Sequence, residues 1–201
     1  MPTESVFLTD DEEEGIDAVL SFWFEENGPK QWFTKDVPLD DAIRARFGAL
    51  QARAVNGELA DWRQTARGAL AEIIVLDQFP RNLYRDDQRA FACDTQALDA
   101  AKAALAIGVD QALGETERVF MYLPFEHSEA AEDHKISVKH CAALSDPSCL
   151  EWAEKHKAII DRFGRYPHPN AALGRESTAE EVAFLEEDEA QHRKHQGVER
   201  C

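Results

Sequence analysis

Asp77, Gln78, Arg81, Asn82 and Arg85 fall within one run, Leu76–Arg85, where an apolar helical stripe meets Pro80. The two arginines stand beside Phe79, Leu83 and Tyr84, so their guanidiniums are held by packing rather than spread into solvent. Held guanidiniums need anions. Either the protein supplies them, with Asp77 and Glu126 building an internal ion-pair network that sets the angle between helices, or a ligand carboxylate or phosphate does, gripped by a planar five-donor fork. The residue types leave both open.

A second cluster, Tyr122–Glu129, brings Glu126 and His127 together after Pro124, and a neighbouring carboxylate and imidazole can serve as acid and base. The proline predicts a loop that delivers this pair to the start of a helix, where carboxylates are favoured. A third cluster runs from Phe163 to Asn170 and on to Gly174-Arg175. Its prolines and its helix-stopping glycine stiffen the loop, so Arg165, His168 and Arg175 hold defined positions. Each cluster has a plain structural alternative: Glu126 and His127 capping and pairing, His168 packed under its loop, the arginines covering helix C-termini.

These residues must be positioned by helices. Ala66, Ala69, Leu70, Ile73, Ile74 and Leu76 recur at three-and-four spacing, the stripe of a core-facing helix over about Asp61–Asp77. Because proline lacks an amide hydrogen and biases the residue before it, that helix is expected to break at Gln78–Phe79 and restart at Pro80. Thr9 with Glu12 forms a capping box for a helix to about Phe24, and Trp32 and Phe33 follow in a loop. A helix over about Asp40–Val55 ends at Asn56-Gly57, and Asp94 caps Thr95–Ile107, which Gly108 ends. Beyond Thr116, a short helix through Val119, Phe120 and Leu123 meets Pro124. Ser128 caps about Glu129–Leu144, Asp146-Pro147 starts a helix reaching Phe163, and Thr178 with Glu181 caps the last. No stretch alternates as a strand does. The class is all-α, about seven or eight helices in antiparallel hairpins without a sheet, as one domain over 1–187 and a polar tail over 188–201.

Composition narrows the partners. At 201 residues with 44% hydrophobic residues, the chain has ample material for one core. Its net charge of −17 argues against nucleic acid and against anionic membrane surfaces. Acids crowd the two ends, and the body between them is still acidic. Cys93, Cys141, Cys149 and Cys201 form no Cys-x-x-Cys pair and no zinc spacing, so reduced thiols, no disulfide and no metal site are expected. Residues Met1–Ser5 lack a signal-peptide pattern, which points to the cytoplasm. Glycine-rich phosphate loops and nucleophile elbows are absent, and the single Glu-x-x-His, Glu189–His192, is half of what a di-iron bundle needs. No cofactor is expected.

Read together, Asp77–Asn82, Pro124–Glu129 and Phe163–His168 resemble the bacterial family called domain of unknown function 924. The likeness extends from about Ala18 to Leu185 and takes in Trp23-Phe24, Trp32-Phe33, Phe91 with Asp94, and Leu173–Thr178. It implies an all-helical fold of the tetratricopeptide-like class and carries no established activity. Pro169 stands where the family pattern usually has arginine, Asp86 where glycine is common, and Ala130 and His134 where Asp and Gln are frequent.

The leading expectation is a helical groove that binds a small anionic molecule or an acidic peptide terminus. Asp77, Gln78, Arg81, Asn82, Arg85, Glu126, His127, Arg165, His168 and Arg175 would line it. The alternatives are a hydrolase- or transferase-type enzyme with Glu126 or His127 as the acid or base, and an interaction module anchored by an exposed Trp32-Phe33 pair.

Overall fold

The computed structural model describes residues 8–198, and every regular element among them is helical, with no strand. The expected Cys201 thiol lies outside the described residues, as does the His192 side chain.

The first helix, α1 (Asp10–Ser21), carries the expected capping box and buries Ile16, Val19 and Leu20. It continues into a π turn, Phe22–Glu26, before α2 (Pro29–Trp32) and α3 (Val37–Val55). Trp32 thus sits in a short helix rather than a loop, half-buried, and its Nε1 donates to the carbonyl of Trp23 at 2.8 Å. Only Phe33 of the pair is widely exposed, at 64%. The interface anchor expected from both rings is therefore a single ring.

Next come α4 (Ala66–Ile73) and α5 (Phe79–Leu83), joined without a break by a second π turn, Ile74–Gln78. The expected break at Gln78–Phe79 does not occur. Phe79 keeps right-handed helical angles (φ −59°, ψ −41°) and its N–H donates to the Ile74 carbonyl five residues back. The wider π ladder accommodates Pro80, which has no N–H to give, so the helix continues where a proline was expected to end it. Thr65 caps α4 through the Gly68 N–H.

The remaining helices are α6 (Asp94–Ile107), α7 (Glu115–His127), α8 (Ala131–Cys141), α9 (Pro147–Phe163) and α10 (Ala179–Val198). Consecutive members α6 to α9 pack on one another, and α4 lies against α1, α6 and α7. From Gly68 onward α4 is buried on every side, as a helix at the centre of a core must be. Phe79 packs against Phe22, Trp23 and Phe47, and Phe120 against Trp23, Phe24 and Trp32, so aromatic rings tie the π turn after α1 to α2, α3, α5 and α7. No helix among the described residues is long and apolar enough to cross a membrane.

One further expectation fails in α7. Pro124 lies inside the helix, which runs on to His127, so Glu126 and His127 stand at its C-terminal end and not at the start of the next helix.

Candidate functional site

Asp77 is fully buried in the π turn that ends α4, and its environment decides how the first cluster works. Its Oδ2 accepts from Gln78 Nε2 at 2.6 Å, and its Oδ1 lies 2.7 Å from His127 Nδ1 and 3.4 Å from Arg81 Nη1. Burial pushes the carboxyl up, but His127 and Arg81 overcome it and hold the group at about 2. An ionised carboxylate only accepts, so Nδ1 of His127 is the donor and the ring's tautomer is set.

Arg81 also donates through both Nη atoms to Asp94, at 2.9 and 3.0 Å. Cys93, not Asp94, occupies the N-cap of α6, which leaves the Asp94 carboxylate free for this fork. Burial outweighs Arg81 at Asp94 and raises its pKa. Arg85 grips Asp40 in the same two-pronged way, at 2.6 and 2.8 Å, and Asn82 donates to the same carboxylate at 2.8 Å. Both arginines of the first cluster are therefore paired inside the protein. Glu126, proposed as their other partner, faces an imidazole instead: its Oε2 lies 2.7 Å from His156 Nδ1, while Ser137 Oγ donates to Oε1 at 3.1 Å.

The pairing is thus crossed. Glu126 and His127 are neighbours in sequence, yet each joins a different partner, giving two carboxylate–imidazole pairs, Asp77–His127 and Glu126–His156. Neither Nε2 has a hydrogen-bond partner among the described residues. The two rings and Arg81 together line two adjoining hollows, of about 440 and about 560 Å³.

The larger hollow takes in Gln78, Asn82, Arg85 and Glu126 from the expected set, with Lys35 and Trp152 at its margin. Lys35 makes no ion pair among the described residues. The smaller hollow takes in His168, with Glu129 and Tyr166. Arg165 and Arg175 line neither. Arg165 donates to Glu181, the capping residue of α10, at 2.7 and 2.9 Å, and Arg175 holds Glu129 at 2.9 Å and the Tyr166 carbonyl. The Tyr166 hydroxyl donates in turn to the Glu126 carbonyl. His168 is half-exposed, stacks edge-on to Phe184 and meets Asp188 at 3.1 Å.

A family model described as bacterial protein of unknown function (DUF924) matches residues 19–189. The chain belongs to that family. It is also similar, at 38% identity and a TM-score of 0.84, to the solved structure of a protein of unknown function, ATU0120, from Agrobacterium tumefaciens. That likeness covers 88% of this chain and 99% of the other. No curated protein matches.

In this DUF924 member His156, Lys35, Asp40 and Cys149 join the site although none was singled out from the sequence. His156 had a faint signal: it follows Trp152 at helical i, i+4 spacing on α9, and both line the larger hollow. The cysteines correct a firmer expectation. Cys141 ends α8, Cys149 sits in the first turn of α9, and the two are joined as a disulfide, their Cα atoms 5.2 Å apart. Their separation of eight matches no short cysteine motif, but a tight turn between packed helices closes that distance. Among the described residues, Glu126, Cys141 and Cys149 form the group whose donor atoms lie close enough together, within 4.8 Å, to hold a metal.

Proposed function

We propose that this chain binds a small anionic molecule, a carboxylate or a phosphate, in the larger hollow, and that His127 and His156 meet it through Nε2. What supports this is one arrangement: two imidazoles anchored at Nδ1 by buried carboxylates, with unpartnered Nε2 atoms, on a cavity that also carries Lys35 and Arg85. The paired arginines do not act as bare cations. Arg85 spends Nε and Nη2 on Asp40 and Thr34 and keeps Nη1 for a ligand, while Lys35 supplies the uncompensated charge. The exposed Phe33 and Trp152 rings add apolar margin for an organic carboxylate, the α-carboxylate of an acidic peptide included.

The same arrangement favours a second reading, proton transfer on the bound molecule. A carboxylate behind an imidazole fixes the tautomer and stabilises the imidazolium that forms when Nε2 takes a proton. Arg165 and Arg175 then serve the loop that backs the smaller hollow.

Imidazole resonances of His127 and His156 followed by NMR during titration with inorganic phosphate, acetate, succinate and an acidic dipeptide test the binding reading. At least one of these probes is expected to shift both rings saturably, and Lys35→Ala with Arg85→Ala to weaken binding at least tenfold. Rings that none of the probes moves would overturn it. Turnover of p-nitrophenyl esters or phosphates that His127→Gln and His156→Gln both abolish would carry the second reading, and turnover unaffected by either would end it.

A further inference from the structure

The structure also brings two sulfurs and a carboxylate together on the far side of Glu126 from His156. We infer that, once the Cys141–Cys149 bond is reduced, Cys141, Cys149 and Glu126 hold one thiophilic divalent cation of the zinc class, with its fourth position open to the larger hollow. This departs from the expectation of no metal site; it shares Glu126 and the larger hollow with the anion reading, but it needs neither the Asp77–His127 pair nor a bound anion.

Three separate helices supply the ligands: the last turn of α7, the end of α8 and the first turn of α9. A tetrahedral zinc ion with ordinary bond lengths places a sulfur and an oxygen ligand about 3.6 Å apart and two sulfurs about 3.8 Å apart. Glu126 Oε1 already lies 3.8 Å from Cys141 Sγ. Reduction frees the two sulfurs to part to that spacing, and the donor atoms of all three residues already lie within 4.8 Å of one another. All three residues are buried, at 1%, 1% and 5% exposure, so water competes little for the ion.

The surroundings suit a metal ligand. The carboxylate divides its work, with Oε1 towards the sulfurs and Ser137, and Oε2 on His156 Nδ1, the kind of outer hydrogen bond that orients a ligating group. Glu126, Cys149 and His156 line the larger hollow, which offers both the route in and the space for a water or ligand atom at the fourth position.

The chemistry balances in two steps. A dithiol, or two small thiols, gives two electrons and two protons to the Cys141–Cys149 bond and becomes a disulfide, leaving two thiols. The cation then displaces both thiol protons and binds two thiolates and the carboxylate. The site thus exists in two exclusive forms, a disulfide or a metal dithiolate.

The test uses the full chain, reduced with a phosphine that is then removed, and titrated with Co²⁺ as the spectroscopic substitute for Zn²⁺. One equivalent is expected to give thiolate-to-cobalt charge-transfer absorption and the visible bands of a four-coordinate ion, both removed by Zn²⁺. Unreduced protein is expected to give neither, and reduced Cys149→Ser to lose the charge-transfer band. Glu126→Gln is expected to weaken Co²⁺ at least tenfold. Absence of the band from reduced wild type, or its survival in Cys149→Ser through Cys93 or Cys201, would overturn the inference. Should Cys149→Ser not fold, the comparison of reduced with unreduced wild type still decides, because the same band in both forms cannot come from this pair.

Discussion

Asp77 is sealed from solvent and draws on three side chains at once, so it stays ionised far down in pH and its loss belongs to the acid end of the stability curve. Its pKa is lowered, from the usual 3.8 to about 2, and a lowered carboxylate contributes stability that is complete above the unfolded value and lost as pH falls through the folded one. Asp94 has the opposite sign: its raised pKa makes ionisation costlier in the folded chain, a cost relieved by protonation at a higher pH than Asp77 needs. Asp77→Asn is therefore expected to remove about 2 kcal/mol of the stability lost between about pH 4 and pH 2, read from urea midpoints across that range. An acid limb of unchanged steepness would contradict the assignment. Arg81→Ala leaves that buried carboxylate with only the hydrogen bonds of His127 and Gln78 and should cost about 3–5 kcal/mol, while Asp77→Asn/Arg81→Leu should cost less than Arg81→Ala alone. At this scale the sequence carried contacts between near neighbours and was silent about those between distant helices. Arg81 and Asp77 share a helical face four positions apart, so their contact was readable; the crossing of Glu126 to His156 depends on how α7 meets α9, which no local pattern encodes.

Most element ends were readable where a cap or stop does its work within a few residues, but Asp94 and Ser128 do not cap α6 and α8, whose N-caps are Cys93 and Ala130. Thr9, Asp146, Gly108, Gly164 and the Thr178–Glu181 box all mark helix ends where the sequence put them. Prolines misled twice, at Pro80 and Pro124, because packing on both sides keeps those helices continuous and a π turn or a lost hydrogen bond is the lesser cost. The junction leading into α4 offers a test. A Cβ on Gly68 would lie 2.1 Å from the Trp62 carbonyl oxygen, a backbone atom that cannot swing aside. Gly68→Ala should thus destabilise by at least about 1–3 kcal/mol despite alanine's better helix propensity, seen as a lower denaturant midpoint. A midpoint that rises would show that the backbone around Trp62 shifts freely.

For the whole molecule, the all-helical class and a sizeable core followed from helical periodicity and apolar content, and the family followed from three motifs in one order. The disulfide did not, since pairing is a property of a finished helical hairpin and not of cysteine spacing. Opening that short loop is expected to lower stability by roughly 2 kcal/mol on loop-closure grounds, and Zn²⁺ to restore the melting temperature of the reduced protein but leave the oxidised one unmoved. Scanning calorimetry of both forms, with and without Zn²⁺, checks this; equal shifts in both would rule out a cysteine-dependent site. The partition formed by His127, His156 and Arg81 has a consequence of its own. An occupant of one chamber touches the same rings that greet an occupant of the other, so two guests cannot ignore each other. Whatever factor the first imposes on the second's affinity, the second must return to the first in full.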